Sequence, residues 1–234
     1  MIPKKIHYCW FGGNEKTEKA KKCIVSWEKY CPDYELIEWN EDNFDVNQNE
    51  YTRRCAEEKK YAFLSDYARL VIVEEYGGIY FDTDVEVIRS IDELLDCEAF
   101  FGFENEEFVN TGVGFGAVPH QKAVVLMKEA YSELMDGTKP FTSCPALNTK
   151  ALLPAGLQRN GKQQTVAGAE IFPVEYFNPY DDTTGRIKKT PNTYSIHWYS
   201  KSWLRKKDII RSKITQPFHR IFGVECFRWL KGNK

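Results

Sequence analysis

The sequence YGGIYFDTDVEV, residues 76–87, constrains the fold more than any other part of the chain. A helical pattern of apolar residues precedes it, and Gly77 is expected to end that helix as a left-handed C-cap. Ile79–Phe81 then predict a buried central strand. Asp82 and Asp84 follow at once. Ligands of open α/β sheets bind beyond such strand ends, and two like charges there need a positive partner.

Strands alternate with helices along most of the chain, which favours a mixed α/β sheet. The predicted strands are KIHYCWF, YELIEW, AFFGFE, VGFGAV and NTYSIH, and the predicted helices are EKTEKAKKCIVSWEKY, AEEKKYAFLSDYARLVIVEEY and QKAVVLMKEAYSELM. Residues 138–182 are richer in Pro, Gly and Asn and predict less regular structure. We expect one domain over residues 1–204 and a basic helical tail over residues 205–234, broken at Pro217 and Gly223.

Charge is divided unevenly between the body and the tail. The chain has a net charge of −2, but residues 201–234 contain ten Lys or Arg and only two acids, so residues 1–200 carry −10. A net charge this close to zero does not favour nucleic acid as a binding partner. Ile and Phe interleave with the basic residues of the tail, which suits an anionic membrane surface. The alternative is a solvated helix that packs on the body.

The seven cysteines include no CxxC pair, which indicates reduced thiols and a cytoplasmic protein. The N-terminal apolar run is too short for a signal peptide, and no stretch approaches the roughly 20 apolar residues of a membrane span. We therefore expect a cytoplasmic protein, peripheral on the inner face of the membrane through its tail.

Asp82 and Asp84 suit a divalent cation, because Mg²⁺ and Mn²⁺ favour carboxylate oxygens and also bind the phosphates of a nucleotide. The alternative is a solvated strand end in which Asp82 caps a turn. Ser65, Asp66 and Arg69 lie on the preceding helix, and Asp66 and Arg69 share a face. An Asp–Arg pair beside a metal can hold sugar hydroxyls and a phosphate, although an intrahelical ion pair is the simpler interpretation.

Four segments together resemble the family 32 glycosyltransferases, which contain a DXD sugar-binding region. These segments, in chain order, are IPKKIHYCWFGG, AFLSDYARLVIVEEYGGIYFDTDVEV, NTGVGFGA and NTYSIHWYSKSW. The resemblance covers roughly residues 1–205. It implies a single GT-A domain with a Rossmann-like mixed sheet, a nucleotide-sugar donor, Mn²⁺ or Mg²⁺, and retention of the anomeric configuration.

The resemblance also implies a role for individual residues. Asp84 should bind the metal directly, Asp82 the metal and the ribose or sugar, and His197 should be a third metal ligand. Asp66 and Arg69 should hold the donor sugar and phosphate and, with Asp82 and Asp84, form the catalytic set. The other expected donor-binding residues are Trp10, Ser65, Asn110, Thr111, Gly112, Ser202 and Trp203. Core roles remain open for Trp10, His197 and Trp203.

The expected function is therefore a metal-dependent, retaining hexosyltransferase that uses a UDP-sugar and a glycan acceptor, a lipid-linked oligosaccharide of bacterial surface polysaccharide synthesis. The sequence offers no convincing nucleophile, so we expect same-face attack assisted by the leaving diphosphate. One alternative is a phosphatase of the haloacid dehalogenase type, although Glu86 departs from its motif. The other is a Ca²⁺-dependent carbohydrate-binding module, which the 15% aromatic content fits and the long helix does not.

Overall fold

The computed structural model of the protein describes residues 1–201, 204 and 206–227. Its helices are α1 (Glu18–Tyr30), α2 (Glu50–Glu57), α3 (Tyr61–Tyr76), α4 (Lys122–Glu129), α5 (Cys144–Leu152), α6 (Val174–Phe177) and α7 (Lys206–Phe222). Its strands are β1 (Lys5–Cys9), β2 (Glu35–Trp39), β3 (Gly78–Tyr80), β4 (Val85–Val87), β5 (Ala99–Phe103), β6 (Val109–Asn110), β7 (Phe115–Ala117), β8 (Gln164–Val166), β9 (Ala169–Phe172), β10 (Tyr180–Asp181), β11 (Arg186–Ile187) and β12 (Ser195–His197).

The main sheet is mixed, as the alternation of strands and helices predicts. Its strand order is β2-β1-β3-β7-β5-β9-β8, with β6 paired to β5. The pairs β1–β2, β1–β3 and β5–β9 are parallel, whereas β7 runs antiparallel to both β3 and β5. The short β3 strand is therefore interior, and its carboxyl end lies beside the carboxyl end of β1. This edge of the sheet is where the Asp82–Asp84 turn begins.

Apolar side chains fill both faces of the sheet. One cluster joins α3 to α4 and α5 through residues such as Leu70, Met127 and Leu152. The other cluster contains Trp27 of α1 and Phe177 of α6. The sheet is thus covered on both sides, which is why β3 and β5 are buried along their whole length.

A second, two-stranded sheet brings the C-terminal part of the domain to the acidic turn. β4 pairs antiparallel with β12, and Val85 lies opposite His197 in the register. The indole of Trp27 donates a 2.8 Å hydrogen bond to the carbonyl oxygen of Val85, which fixes β4 on α1. This pairing places His197 beside Asp84 although 112 residues separate them in the chain.

Several sequence-based boundaries were wrong. The helix expected from Ala56 to Tyr76 is two helices, α2 and α3, because Lys59 has a φ of 55° and interrupts the helical path. β1 ends at Cys9, so Trp10 follows the strand rather than lying on it. α7 continues through Pro217, where a break was expected, although its end at Phe222 agrees with the break expected at Gly223. The region 138–182 contains α5 and β9 despite its Pro and Asn content.

Gly77 ends α3 but does not adopt the left-handed helical conformation that we expected. Its φ of 62° is positive, yet its ψ of −167° turns the chain directly into β3. A Cβ atom at this position would lie 2.7 Å from Cδ of Pro119 and 3.1 Å from the carbonyl oxygen of Ala117. Both the backbone angle and the close packing therefore require glycine.

Replacing Gly77 with alanine should destabilise the fold through both effects. The positive φ should cost about 1–2 kcal/mol of unfolding free energy, and the overpacking a further 1–3 kcal/mol or so. Gly13→Ala is the matched control, because Gly13 has a φ of 64° and open space around its Cα. Urea unfolding of both variants measures the difference; equal losses would show that packing at Gly77 contributes nothing.

Candidate active site

Asp82, Asp84 and His197 form a three-residue cluster at the carboxyl edge of the sheet. One ligand atom from each residue can be chosen so that all three lie within 4.8 Å of one another. Nε2 of His197 is 3.2 Å from Oδ1 of Asp84. Nδ1 of the same ring is buried and has no hydrogen-bond partner in the described part of the chain. Protein contacts alone therefore leave this imidazole incompletely satisfied.

The residues of this cluster fit a divalent cation. Two carboxylates and one imidazole are the donors of a Mn²⁺ or Mg²⁺ site, and a cation between them would offset the carboxylate repulsion. Burial raises the pKa of Asp82, and the nearby Asp84 charge adds to this effect, whereas Arg69 opposes it. Burial also acts to raise the pKa of Asp84, but His197 and Ser200 outweigh it and hold that pKa well below its usual range.

Arg69 joins this cluster to α3. Its side chain is only 2% exposed, and it lies 2.7 Å from Oδ1 of Asp66 and 3.1 Å from Oδ1 of Asp82. Nε of Arg69 donates to the carbonyl oxygen of Ser65, and its guanidinium lies 4.8 Å from the ring centroid of Tyr80. The Asp66–Arg69 pair is thus an intrahelical ion pair, as the simpler interpretation has it, but it is buried and Arg69 also reaches the acidic turn.

Asp66 lies in a poorly solvated position. Burial raises its pKa to about 6, and Asp82 acts in the same direction, while Arg69 and the nearby Cys144 oppose the shift. Ser65 is nearby, but its hydroxyl donates to the carbonyl oxygen of Tyr61 in the same helix. Ser65 is therefore adjacent to the charged cluster and bonded within α3.

The NTG loop, which is residues 110–112, lies against the acidic turn. Asn110 is buried, and its Oδ1 accepts hydrogen bonds from the Gly112 backbone and the Cys144 thiol. The buried hydroxyl of Thr111 accepts from Asn148. A Cβ atom on Gly112 would lie 2.5 Å from Oδ2 of Asp82. Gly112 is therefore needed for the close approach of this loop to the acidic turn.

Trp10 lines a separate cavity beyond the ends of β1 and β2. The cavity has a volume of about 280 Å³ and is lined by residues that include Trp10, Asn14, Lys16, Glu38 and Asn40. The indole of Trp10 donates a 2.6 Å hydrogen bond to the carbonyl oxygen of Asn14. Lys16 lies 2.6 Å from Glu38 and 5.9 Å from the Trp10 ring centroid. Trp10 is therefore not a core residue but a partly exposed wall of this cavity.

Two expected donor-binding residues, Ser202 and Trp203, lie outside the described residues. Sequence reasoning in turn missed three residues at the site: Cys144 and Asn148 on α5, and Tyr199 next to His197. Tyr199 is in the HWYSK segment, which supplied a signal for it. Cys144 and Asn148 had none, because they reach the site only through the packing of α5.

Comparison with known proteins finds a family match in the N-terminal half of the chain. Residues 17–101 match the family described as "Glycosyltransferase sugar-binding region containing DXD motif". The matched DXD region contains Ser65, Asp66, Arg69, Asp82 and Asp84, and it confirms the resemblance to family 32 glycosyltransferases. It favours a glycosyltransferase over the phosphatase and the carbohydrate-binding module considered above.

Individual curated proteins are similar to part of the chain. The chain is similar to inositol phosphoceramide mannosyltransferase 3 of Schizosaccharomyces pombe, with 32% identity over 107 residues, 42% of this chain and 29% of that protein. It is also similar to alpha-1,4-N-acetylglucosaminyltransferase of Homo sapiens, with 35% identity over 88 residues, 38% of this chain and 24% of that protein. The chain thus spans less than a third of the length of these two relatives.

The fold agrees with that of a solved glycosyltransferase. PaToxG glycosyltransferase superimposes with a TM-score of 0.51 and 21% identity, covering 65% of this chain and 69% of that one. Together with the mixed sheet and the DXD turn, this likeness confirms the predicted α/β fold class of GT-A type. The roles of all the individual site residues remain predictions, and Trp10, Asn110, Gly112 and His197 also lie outside the matched DXD region.

Replacing Gly112 with alanine should weaken cation binding, because the new methyl group must displace the Asp82 carboxylate. We expect the affinity for Mn²⁺, measured calorimetrically in the presence of UDP, to fall by about 10–100-fold, as for other losses of ligand support. Gly156→Ala is the control, since no atom lies within 4 Å of the position of its new Cβ and its φ of 102° adds backbone strain away from the acidic turn. An unchanged affinity in Gly112→Ala would show that Asp82 does not need this close approach.

Proposed function

We propose that the chain transfers a hexose from a UDP-sugar to a glycan acceptor at the Asp82–Asp84–His197 cluster, with Mn²⁺ or Mg²⁺ as cofactor. The observation that carries this proposal is the convergence of the DXD carboxylates, His197 and the buried Arg69 at one edge of the sheet. A glycosyltransferase of the DXD family needs such a site for the diphosphate of its donor.

The chain's own residues have separable tasks in this reaction. When bound, the cation supplies positive charge for the leaving diphosphate. Asp82, Asp84 and His197 hold it, while Arg69, fixed by Asp66 and Asp82, adds a second positive charge that needs no reorganisation. The NTG loop and Asp66 position the hexose, and Trp10 and its cavity receive the base.

Retention of the anomeric configuration is part of the proposal. The bond between the anomeric carbon and the diphosphate oxygen breaks, and its electron pair stays on the diphosphate. The acceptor oxygen attacks from the same face, and its proton passes to the diphosphate oxygen. This route needs no protein nucleophile, in keeping with the sequence, and it relies on close positioning of both sugars.

The Asp84→Asn variant tests the metal site. We expect donor turnover at saturating Mn²⁺ to fall by about 100-fold or more, because charge stabilisation at the leaving group is worth several kcal/mol. The assay measures release of UDP or GDP from UDP-glucose, UDP-galactose, their N-acetyl forms and GDP-mannose.

Asp96→Asn serves as the matched control, because Asp96 is an exposed carboxylate on the surface. It should turn over donor like the wild type. Undiminished turnover in Asp84→Asn, or a wild type with neither turnover nor manganese-dependent UDP binding, would contradict the proposed function.

The proposal extends to a lipid-linked acceptor at an anionic membrane surface, with the tail as the contact. No helix in the described part of the chain has the length and hydropathy to cross a bilayer. On α7, however, Ile210, Ile214 and Ile221 are 57%, 62% and 71% exposed. Phe218 and Phe222 continue this outward apolar stripe, and exposed basic residues flank it: Lys207, Arg211, Lys213 and Arg220.

The opposite face of α7 is bonded to the body, which directs the stripe outward. Gln216 donates to the Tyr180 hydroxyl and to the carbonyl oxygen of Asp182, at 2.9 Å and 3.0 Å. Lys201 donates to Ser212 and forms an ion pair with Asp182. An outward apolar stripe between basic residues suits the headgroup region of anionic lipid.

The name of the yeast mannosyltransferase, which includes inositol phosphoceramide, agrees with a lipid-borne acceptor. This membrane contact, a cytoplasmic location and a role in surface polysaccharide synthesis belong to the same proposal.

Vesicle flotation tests the membrane contact. The full chain should float with phosphatidylcholine vesicles that contain phosphatidylserine, and less with phosphatidylcholine alone. The double variant Ile214→Glu/Ile221→Glu should lose about tenfold or more in vesicle affinity, since two buried apolar side chains are worth several kcal/mol. Val25→Glu, on the 59% exposed Val25 of α1, is the control. Equal flotation of the double variant and the wild type would contradict the proposal.

A further inference from the structure

Glu104 is a carboxylate that the proposed mechanism leaves unused. It directly follows β5, at the start of the loop to β6, and it is partly buried. Among the described residues, no Lys or Arg nitrogen lies within 4.0 Å of its carboxylate oxygens, although buried acidic residues are normally paired with a cation. Burial raises its pKa, and the charge of His197 opposes that shift. A desolvated carboxylate without a cation does little for stability, which points to a role in binding.

Two neighbours connect Glu104 to the acidic cluster from different sides. The polar side chain of Asn110 lies on one side and acts to lower the pKa of the Glu104 carboxyl. The same Asn110 side chain lies 3.0 Å from the position that a Gly112 Cβ would occupy, next to Asp82. On the other side, the Tyr199 hydroxyl lies 3.4 Å from Oε1 of Glu104. The Tyr199 ring centroid is 4.2 Å from that of His197.

The backbone around Tyr199 supports a built site rather than a chance contact. Tyr199 has a φ of 46°, a strained conformation for an aromatic residue. The next residue, Ser200, donates its backbone N–H to Asp84. Asn178 donates to both the Tyr199 hydroxyl, at 2.6 Å, and the Glu104 backbone oxygen, at 2.9 Å. The Tyr199–Ser200 turn, which donates a hydrogen bond to Asp84, thus also holds Tyr199 beside Glu104.

The Glu104 carboxylate keeps hydrogen-bonding capacity for a ligand. An ionised carboxylate offers about four lone-pair positions, and among the described residues the one hydrogen bond to it is a long contact of 3.4 Å from the Tyr199 hydroxyl. A ligand that completes this set must donate hydrogen bonds. Sugar hydroxyls are the donors that a hexosyltransferase brings to this place, and charged acceptors bind them more strongly than neutral ones.

We propose that Glu104 binds a hexose hydroxyl at the transfer site, between the NTG loop and the Tyr199–Ser200 turn. This inference rests on the proposed function and adds a sugar-binding residue to it. The hydroxyl belongs either to the hexose of the donor or to the incoming acceptor, and the two sources give different measurements.

The test uses Glu104→Ala and the isosteric Glu104→Gln in the full chain with Mn²⁺. The first measurement is the affinity for free UDP or GDP and for the intact nucleotide sugar that the wild type hydrolyses. The second is hydrolytic turnover at saturating donor, in which water takes the acceptor's place. Glu106→Gln is the control, because Glu106 is exposed in the same loop and the charge change is identical.

We expect Glu104→Ala to lower either the affinity for the nucleotide sugar or the hydrolytic turnover by about tenfold or more, and Glu104→Gln to lower the same quantity by less. The affinity for free UDP or GDP should stay within about twofold of the wild-type value. A loss confined to nucleotide-sugar affinity assigns the hydroxyl to the donor. A loss confined to turnover assigns it to the acceptor position.

The inference is overturned if both Glu104 variants match Glu106→Gln in both measurements. It is also overturned if affinity for free UDP or GDP falls in parallel, because Glu104 would then support the metal or the diphosphate instead. If the wild type neither hydrolyses a donor nor binds UDP with Mn²⁺, the proposed function fails, and the assignment of Glu104 falls with it.

Discussion

The buried Arg69 guanidinium is the interaction on which the site depends. It lies between the carboxylates of Asp66 and Asp82, so it joins the middle of α3 to the residue that follows β3 by two positions. Taking this cation out of water is costly unless its donors are satisfied, and the Ser65 carbonyl oxygen meets one of them. Arg69 also balances part of the negative charge at Asp82, which lets two carboxylates lie at one strand end.

The second constraint is the pairing of β4 with β12, which closes the site with a distant part of the chain. Asp84 lies just before β4, and its backbone oxygen accepts from Trp198 while its side chain meets His197 and Ser200. A single carboxylate thus organises the turn after β12. Arg69 fixes Asp82 from one side, and this turn fixes Asp84 from the other, so the two DXD carboxylates have different partners. Their pKa values accordingly move in opposite directions.

Local sequence patterns predicted the parts of this structure that local forces determine. The strand β3, the glycine at the end of α3 and the Asp82–Asp84 turn follow from the order of apolar, glycine and acidic residues. The break between α2 and α3 could not be predicted in this way, because residues 56–60 are good helix formers and the interruption arises at Lys59. Cys144 and Asn148 reach the site through tertiary packing. Glu104 looked like any surface glutamate, since its neighbours Asn110 and Tyr199 meet only in the folded chain.

The uneven charge of the chain bears on how the tail and the site act together. An anionic surface would repel the acidic body and attract the basic face of α7, and the repulsion would reach over a Debye length of about 8–10 Å. An approach with α7 facing the surface keeps the attraction and reduces the repulsion, so charge would orient the protein as well as attach it. Lys201, which binds Ser212 and Asp182, directly follows Ser200, the residue that grips Asp84. Lys201 thus connects α7 to the turn that binds Asp84.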